Sequence, residues 1–244
     1  MRYIADRGMD VGVKMISQNK LLTCVYEYIA ETVGCTVSQL KSDETIFVMN
    51  PAKKENYIKI LGIGDANIIS LSEDVHAHVK KLLAGKNRDE LFESELIYGQ
   101  TLRYIPDIKQ MIPFIYPKEY AFEILEGLNI QKIRELKGFD NSLSFDEEGN
   151  TNTGIVLYAE KNGEIIAVAG AACETNEIME VGIDVKKSYR GQGLAKLLVH
   201  NLSVEILKRN KIPFYSASVT NLASQSVAVR SGYKLLWTDS YGVR

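Results

Sequence analysis

The sequence reads as an α/β chain, on three observations. Short β-rich runs alternate with amphipathic helical segments in the first hundred residues, Asn162-Gly163 gives a strong hairpin signal, and a strand passes into a helix through a glycine loop at Arg190 to Ala195. At 244 residues, with 45% hydrophobic content, the chain has material for one large domain or two small ones. Its 29 basic and 31 acidic residues leave a formal charge of -2. That offers no general attraction for nucleic acid or an anionic membrane, so any anion site must be local.

The N-terminus carries charges throughout Met1 to Lys14 and no apolar h-region, and no stretch approaches the ~20 apolar residues that cross a bilayer. Neither secretion nor membrane spanning is expected. A regular pattern begins at Met15, so the segment before it reads as a loose leader or a mis-assigned start. Cys24, Cys35 and Cys173 are odd in number and lack paired spacing, which favours free thiols in a reducing cytoplasm.

Leu21, Leu22, Val25, Tyr28 and Ile29 fall at helical spacing between Gln18 and Val33, with Gly34 as the stop. Thr45 to Met49, Tyr57 to Leu61 and Asn67 to Leu71 read as strands, after which Ser72 can cap a helix through Leu83. His76 and His78 on that helix are two residues apart and point to different faces, so no metal site is expected. Three of the five prolines lie between Gly99 and Pro117, which puts the expected boundary between an N-terminal α/β region over 1–110 and a second domain over 111–244.

Beyond it, Ala121 to Leu128 and Ile130 to Leu136 suggest two short helices, and Asp146 to Asn152 a polar turn. Three strands follow at Gly154 to Ala159, Glu164 to Ala172 and Ile178 to Val185, antiparallel around the Asn162-Gly163 turn. Gly193 to Arg209 carries Leu194, Leu198, Leu202 and Ile206 on one helical ridge, with Lys208 and Arg209 in the last turn. Phe214 to Val219 reads as a strand and Ser224 to Arg230 as a helix.

Chemistry concentrates between Val181 and Ala195. Gly191 and Gly193 before a helix let phosphate oxygens approach its unpaired N–H groups, and Lys186, Lys187, Arg190 and Lys196 add local positive charge. A plain glycine turn with solvated lysines is the bland alternative. A dinucleotide fingerprint is excluded because Lys196 occupies its third glycine position, and a P-loop because no Gly-Lys followed by Ser or Thr is present.

This segment resembles the acetyl-CoA-binding motif of the GNAT acetyltransferases: Arg or Gln, two variable residues, Gly, one variable residue, then Gly or Ala. Arg190, Gly193 and Ala195 match it in order. The resemblance continues through Asn221-Leu222-Ala223-Ser224, Val227-Ala228 and Gly232-Tyr233. It covers roughly Phe122 to Trp237 and is closest to uncharacterised clostridial-type members with an extra N-terminal region. It implies a mixed, mostly antiparallel twisted sheet flanked by helices, with acetyl-CoA as cofactor.

By that resemblance the amides of Arg190, Gly191, Gln192, Gly193, Leu194 and Ala195 hold the pyrophosphate. The backbone of Ile183 and Val185 pairs with the pantetheine as an added strand would. The resemblance also implies that this strand carries a bulge and splays from the next one, with Gly182 as the expected place of the distortion. Asp184 counts among the cofactor-side residues as an orienting or cleft-lining group, Asn221 lies near the pantetheine, and Ser224 takes the following position.

Acyl transfer to an amine needs a base for its proton and donors for the developing oxyanion. Glu180 is the first candidate base, with a structural ion pair as the alternative; it lies about 13 Å from Asp184 along a strand at ~3.3 Å per residue, too far for a dyad. The tyrosine that many family members carry before the last helix's glycine, proposed to protonate the leaving thiolate, is Ala228 here. Tyr215 or water could serve instead, although Tyr215 and Tyr233 also read as core aromatics. Cys173 reads as packing.

The expected activity is therefore N-acetylation of a primary amine on a small molecule or protein, without nucleic-acid or membrane partners. The rival is a coenzyme A-binding sensor with little or no catalysis. The N-terminal region could be a degenerate GNAT-like half, a lid or a homodimer surface.

Overall fold

In the computed structural model, residues 16–243 are described. The charged leader over Met1 to Lys14 and the pattern start at Met15 lie outside the described residues. The chain runs α1 (Gln18–Val33), α2 (Val37–Leu40), β1 (Thr45–Met49), β2 (Ile58–Ile63), β3 (Ala66–Leu71), α3 (Glu73–Leu83), α4 (Arg88–Phe92) and β4 (Ile97–Pro106). It continues with β5 (Ala121–Glu126), a 3-10 turn at Gly127–Ile133, β6 (Thr153–Lys161), β7 (Glu164–Cys173), β8 (Ile178–Val185), α5 (Leu194–Lys208), β9 (Ile212–Ser218), α6 (Leu222–Arg230) and β10 (Tyr233–Val243).

These elements divide between two units. One holds Ile105–Ser216 and Ala223–Lys234; the other holds Asn19–Tyr104, Ala217–Leu222 and the chain from Leu235 onward. A single cut at 110/111 therefore does not describe the division. The reason is β10, which pairs antiparallel with β2 through Trp237↔Ile63 and Asp239↔Leu61 and so returns the C-terminus to the N-terminal unit.

In that N-terminal unit the strand order is β1-β3-β2-β10-β4, with β1 parallel and β2 antiparallel to β3. Ile58, Ile60, Ile69 and Leu71 pack with Val79 and Leu83 of α3 and with Leu91 and Ile97. α1 stops at Gly34, whose φ of 75° is the left-handed conformation glycine tolerates best. Ser72 stands at the N-cap of α3 but makes no side-chain cap bond. Its hydroxyl instead accepts the Tyr57 N–H at 2.9 Å, tying the start of β2 to the end of β3.

The other unit has the order β9-β8-β7-β6-β5, antiparallel from β5 to β8 and parallel between β8 and β9. Ala121 to Leu128, expected as a helix, is largely strand β5, because Phe122 to Glu126 pair with Ile155 to Ala159 of β6. The second expected helix is reduced to the 3-10 turn. At the β6–β7 hairpin Asn162 and Gly163 both adopt positive φ, 53° and 82°, the requirement of a tight primed turn. Leu125, Val156, Tyr158 and Val168 pack on one face with Ile130, Ile133, Phe139 and Leu143. The other face carries buried Leu157, Ala169, Ala171 and Val181, and α5 packs against β6, β7 and β8.

Toward β7 there is no bulge at Gly182, since β7 and β8 stay in register through Gly170↔Gly182; toward β9 the pairing ends at Val181↔Tyr215, immediately before Gly182, where the expected splay begins. The two cross-strand glycines serve a close approach. A Cβ at Gly182 would sit 1.7 Å from the Asn141 carbonyl oxygen, and one at Gly170 1.7 Å from that of Ser142. The chain at 141–142 thus crosses the sheet in contact with its backbone.

Candidate active site

The loop before α5 is built on conformations only glycine takes easily. Gly191 and Gly193 have φ of 78° and 83°, with nothing within 4 Å of where a Cβ would stand. They are glycines for backbone freedom rather than for lack of room. Gly193 caps α5 without a side chain, and its carbonyl accepts the Leu197 N–H at 3.0 Å. The first-turn amides of Leu194, Ala195 and Lys196 precede that first intrahelical bond and present the positive helix end.

Around the loop, Lys187, Arg190, Gln192 and Lys196 are exposed. Arg190 Nε donates to the Val185 carbonyl at 3.0 Å, and Gln192 Oε1 accepts the Tyr120 hydroxyl at 2.7 Å. Lys186, expected in the cationic cluster, is paired with Glu164 at 2.7 Å, so the local charge comes from the other three cations. Amides, open space and cations together fit a polyphosphate.

Beside the loop the sheet opens. β8 and β9 pair from Ile178↔Ile212 to Val181↔Tyr215, and their register ends there while β8 continues to Val185. Backbone alternation decides which groups face the gap. The Lys186 N–H donates to Ile166 and the Ile178 carbonyl accepts from Glu174, so even-numbered residues turn toward β7. The Glu177 carbonyl accepts the Ile212 N–H, so odd-numbered residues turn toward β9. Ile183 and Val185 therefore direct their N–H and C=O groups to the side where pairing has ceased.

At the mouth of the gap, Glu180 Oε1 accepts a hydrogen bond from the Ser216 hydroxyl. Tyr215, 2% exposed, bonds its hydroxyl to Ser224 Oγ at 2.7 Å and meets the Tyr233 ring edge-on at 6.1 Å. Tyr215 and Ser224, expected on separate grounds, are thus direct partners. Burial pushes the Tyr233 hydroxyl well above the usual phenol range, and Ser203 holds it at 2.6 Å.

Against this geometry stand the comparisons with known proteins. The GNAT acetyltransferase family profile matches residues 116–238, just over half of the chain. The chain belongs to the GNAT acetyltransferase family. No curated protein matches it. Among solved structures it is similar to a GNAT-family protein from Novosphingobium aromaticivorans at 18% identity and TM-score 0.47, covering 58% of this chain and 63% of that one. A GCN5-related N-acetyltransferase-like protein from Streptococcus suis matches at 17% identity and TM-score 0.47, covering 74% and 72%. A GNAT-family acetyltransferase from Colwellia psychrerythraea matches at 13% identity and TM-score 0.49, covering 95% and 99%. The chain thus spans less than two thirds of the first of these relatives.

As a GNAT acetyltransferase the chain has its own departures. Ala228, at the position of the family tyrosine, is completely buried in α6. Asp184 does not line an open cleft: its carboxylate accepts from the Asn141 N–H at 2.9 Å, Asn141 Nδ2 at 2.6 Å, and the Ser142 N–H and hydroxyl at 2.9 Å each. Asn221 lies in the N-terminal unit, where its N–H donates to the Ser218 carbonyl. Cys173 is exposed at the end of β7 with its sulfur over Gly154, so it is not a core packing residue. No helix among the described residues is long and apolar enough to cross a membrane.

Sequence reasoning missed the segment before β5. The Phe114 N–H donates to Asn201 Oδ1 at 2.8 Å, and Asn201 Nδ2 donates to the Phe114 carbonyl at 2.9 Å, so the segment is strapped to α5. Between it and the first turn of α5 lies a depression of about 280 Å³ whose lining includes Phe114, Ile115, Gly193 and Lys196. The signal available was the row of exposed apolar residues at Ile112 and Ile115 beside two prolines.

Proposed function

We propose that this GNAT acetyltransferase transfers the acetyl group of acetyl-CoA to a primary amine of a small molecule or protein. The observation that carries the reading is the β8–β9 pairing that ends at Val181↔Tyr215 beside a helix end opened by two positive-φ glycines. Bound acetyl-CoA supplies a thioester carbonyl for attack by an amine nitrogen, with a thiolate as leaving group. The amides of Gly193 to Ala195 bind the diphosphate, helped by Arg190. The backbone of Ile183 and the Val185 N–H hold the pantetheine amides as a neighbouring strand would.

Glu180, on β8 and three residues before Ile183, receives the proton of the incoming ammonium, and the Ser216 hydroxyl orients its carboxylate. The Tyr215 hydroxyl, fixed by Ser224, is the group placed to return a proton on the leaving side. Residues 141–142 wall the face on which Glu180 projects, and the amine approaches from there.

The test follows free thiol while the protein is incubated with acetyl-CoA and an amine panel. Acceptor-dependent release is expected, and Glu180→Gln should lower it by about 10²-fold or more, the scale of a lost general base. Thermal stabilisation by coenzyme A without turnover on any amine would instead favour a coenzyme A-binding sensor, the reading that buried Ala228 supports.

A further inference from the structure

We propose that Tyr120 is a positioning residue: its hydroxyl grips Gln192 and holds the Gly191–Gly193 loop in the shape that receives the diphosphate of coenzyme A. This rests on the coenzyme A reading of that loop. Arg190 to Gly193 are all exposed, and open space surrounds the Cβ positions of both glycines. Packing around them therefore does little to fix the loop, while glycine surrenders more conformational freedom on ordering than any other residue. The order must come from the loop's side chains.

Gln192 is the one side chain between the two glycines. Its Oε1 accepts the Tyr120 hydroxyl at 2.7 Å, across 72 positions, and its Nε2 donates to the Ser188 carbonyl at 3.4 Å. The side-chain amide thus joins the loop to the segment before β5 on one side and to the 3-10 turn at Lys187–Tyr189 on the other. Tyr120 is itself seated. Its ring meets Phe122 of β5 edge-on at 6.2 Å, and Phe122 meets Tyr116 at 4.5 Å. The Lys161 ammonium, at the end of β6, stands 5.2 Å from the centre of the Tyr120 ring and 5.9 Å from that of Tyr189. One cation therefore faces both the tyrosine that holds the loop and the tyrosine that leads into it. Lys161 is fixed in turn by the β6–β7 hairpin, where its backbone is paired with that of Glu164. A loop held in advance loses less freedom when its ligand arrives.

Tyr120→Phe tests the assignment, because it keeps the ring for Phe122 and Lys161 and removes only the hydroxyl. Calorimetry on the full chain should show coenzyme A binding weakened about three- to tenfold, the scale of one neutral hydrogen bond. In the ligand-free protein, amide exchange at residues 190–194 should accelerate while the melting temperature stays unchanged. Gln192→Ala should weaken coenzyme A at least as much, and adding Tyr120→Phe to it should cost nothing more. Additive losses, or an affinity or exchange rate that Tyr120→Phe leaves unmoved, would overturn the positioning role while the coenzyme A reading stands. A lowered melting temperature with faster exchange throughout would make Tyr120 a residue of general stability and overturn the role as well. Wild-type protein that binds no coenzyme A would remove that reading, and the role of Tyr120 with it.

Discussion

Asp184 shows how one side chain of the candidate site acts through geometry rather than chemistry. Two residues before it, Gly182 removes the Cβ that would collide with the Asn141 carbonyl, and Gly170 does the same for Ser142. With the backbone of 141–142 lying on the sheet, its N–H groups need an acceptor, and the Asp184 carboxylate takes both together with two side-chain donors. Removing the carboxylate takes the acceptor from the N–H and hydroxyl of buried Ser142, as well as from exposed Asn141. Asp184→Ala should therefore lower stability by about 2–4 kcal/mol in urea denaturation, where a bond to a charged acceptor contributes about 1.5–3 kcal/mol. Amide exchange should accelerate first at residues 139–143. A variant with unchanged stability would show that the loop holds itself.

At the scale of elements, legibility followed how locally each was specified. α1, β1 and β8 lie within the bounds their patterns indicate, since apolar spacing and a terminal glycine or turn suffice to define them. The glycine loop before α5 was legible for the same reason: positive φ at Gly191 and Gly193 demands the residue type that marks it. β5 was not, because Phe122 to Leu125 carries apolar residues at spacings a helix would also use, and pairing with β6 decides. β4 and β10 escaped because their partners are remote, as the Gln100–Thr238 bond across 138 positions shows. The short helices α2 and α4 did carry capping boxes, Thr36 with Gln39 and Asn87 with Glu90, that reading for longer periodic runs overlooked. The Phe114 strap is bonded 87 positions away, and its local trace was only the apolar Ile112 and Ile115 beside two prolines. The hairpin gives the sharpest test of local specification: Gly163→Ala keeps open space around the new Cβ but forces it to φ 82°. It should cost about 1–2 kcal/mol by thermal denaturation, from conformation alone.

Across the whole molecule, the chain closes on its own beginning. Residues from Leu235 onward belong with Asn19–Tyr104, and the charge chemistry explains why that return is specific. Asp239 is buried at 7% exposure and stands 3.2 Å from Arg103 Nε and 3.8 Å from Lys59 Nζ. Burial pulls the Lys59 ammonium below its usual range, while Asp239 pulls it back up. Ser240 completes the seam, its carbonyl accepting from Lys59 and its hydroxyl from the Ile60 N–H. Two half-buried cations on β2 and β4 thus share one carboxylate from β10. Asp239→Ala removes the carboxylate that two half-buried cations share and should cost about 1.5–3 kcal/mol, the scale of a hydrogen bond to a charged group. Trp237, the single tryptophan, is 4% exposed on the same strand and reports the event directly by fluorescence in urea. The expected result is a transition at markedly lower denaturant. An unshifted midpoint would mean that the β10 backbone pairing, not the ion cluster, secures the return.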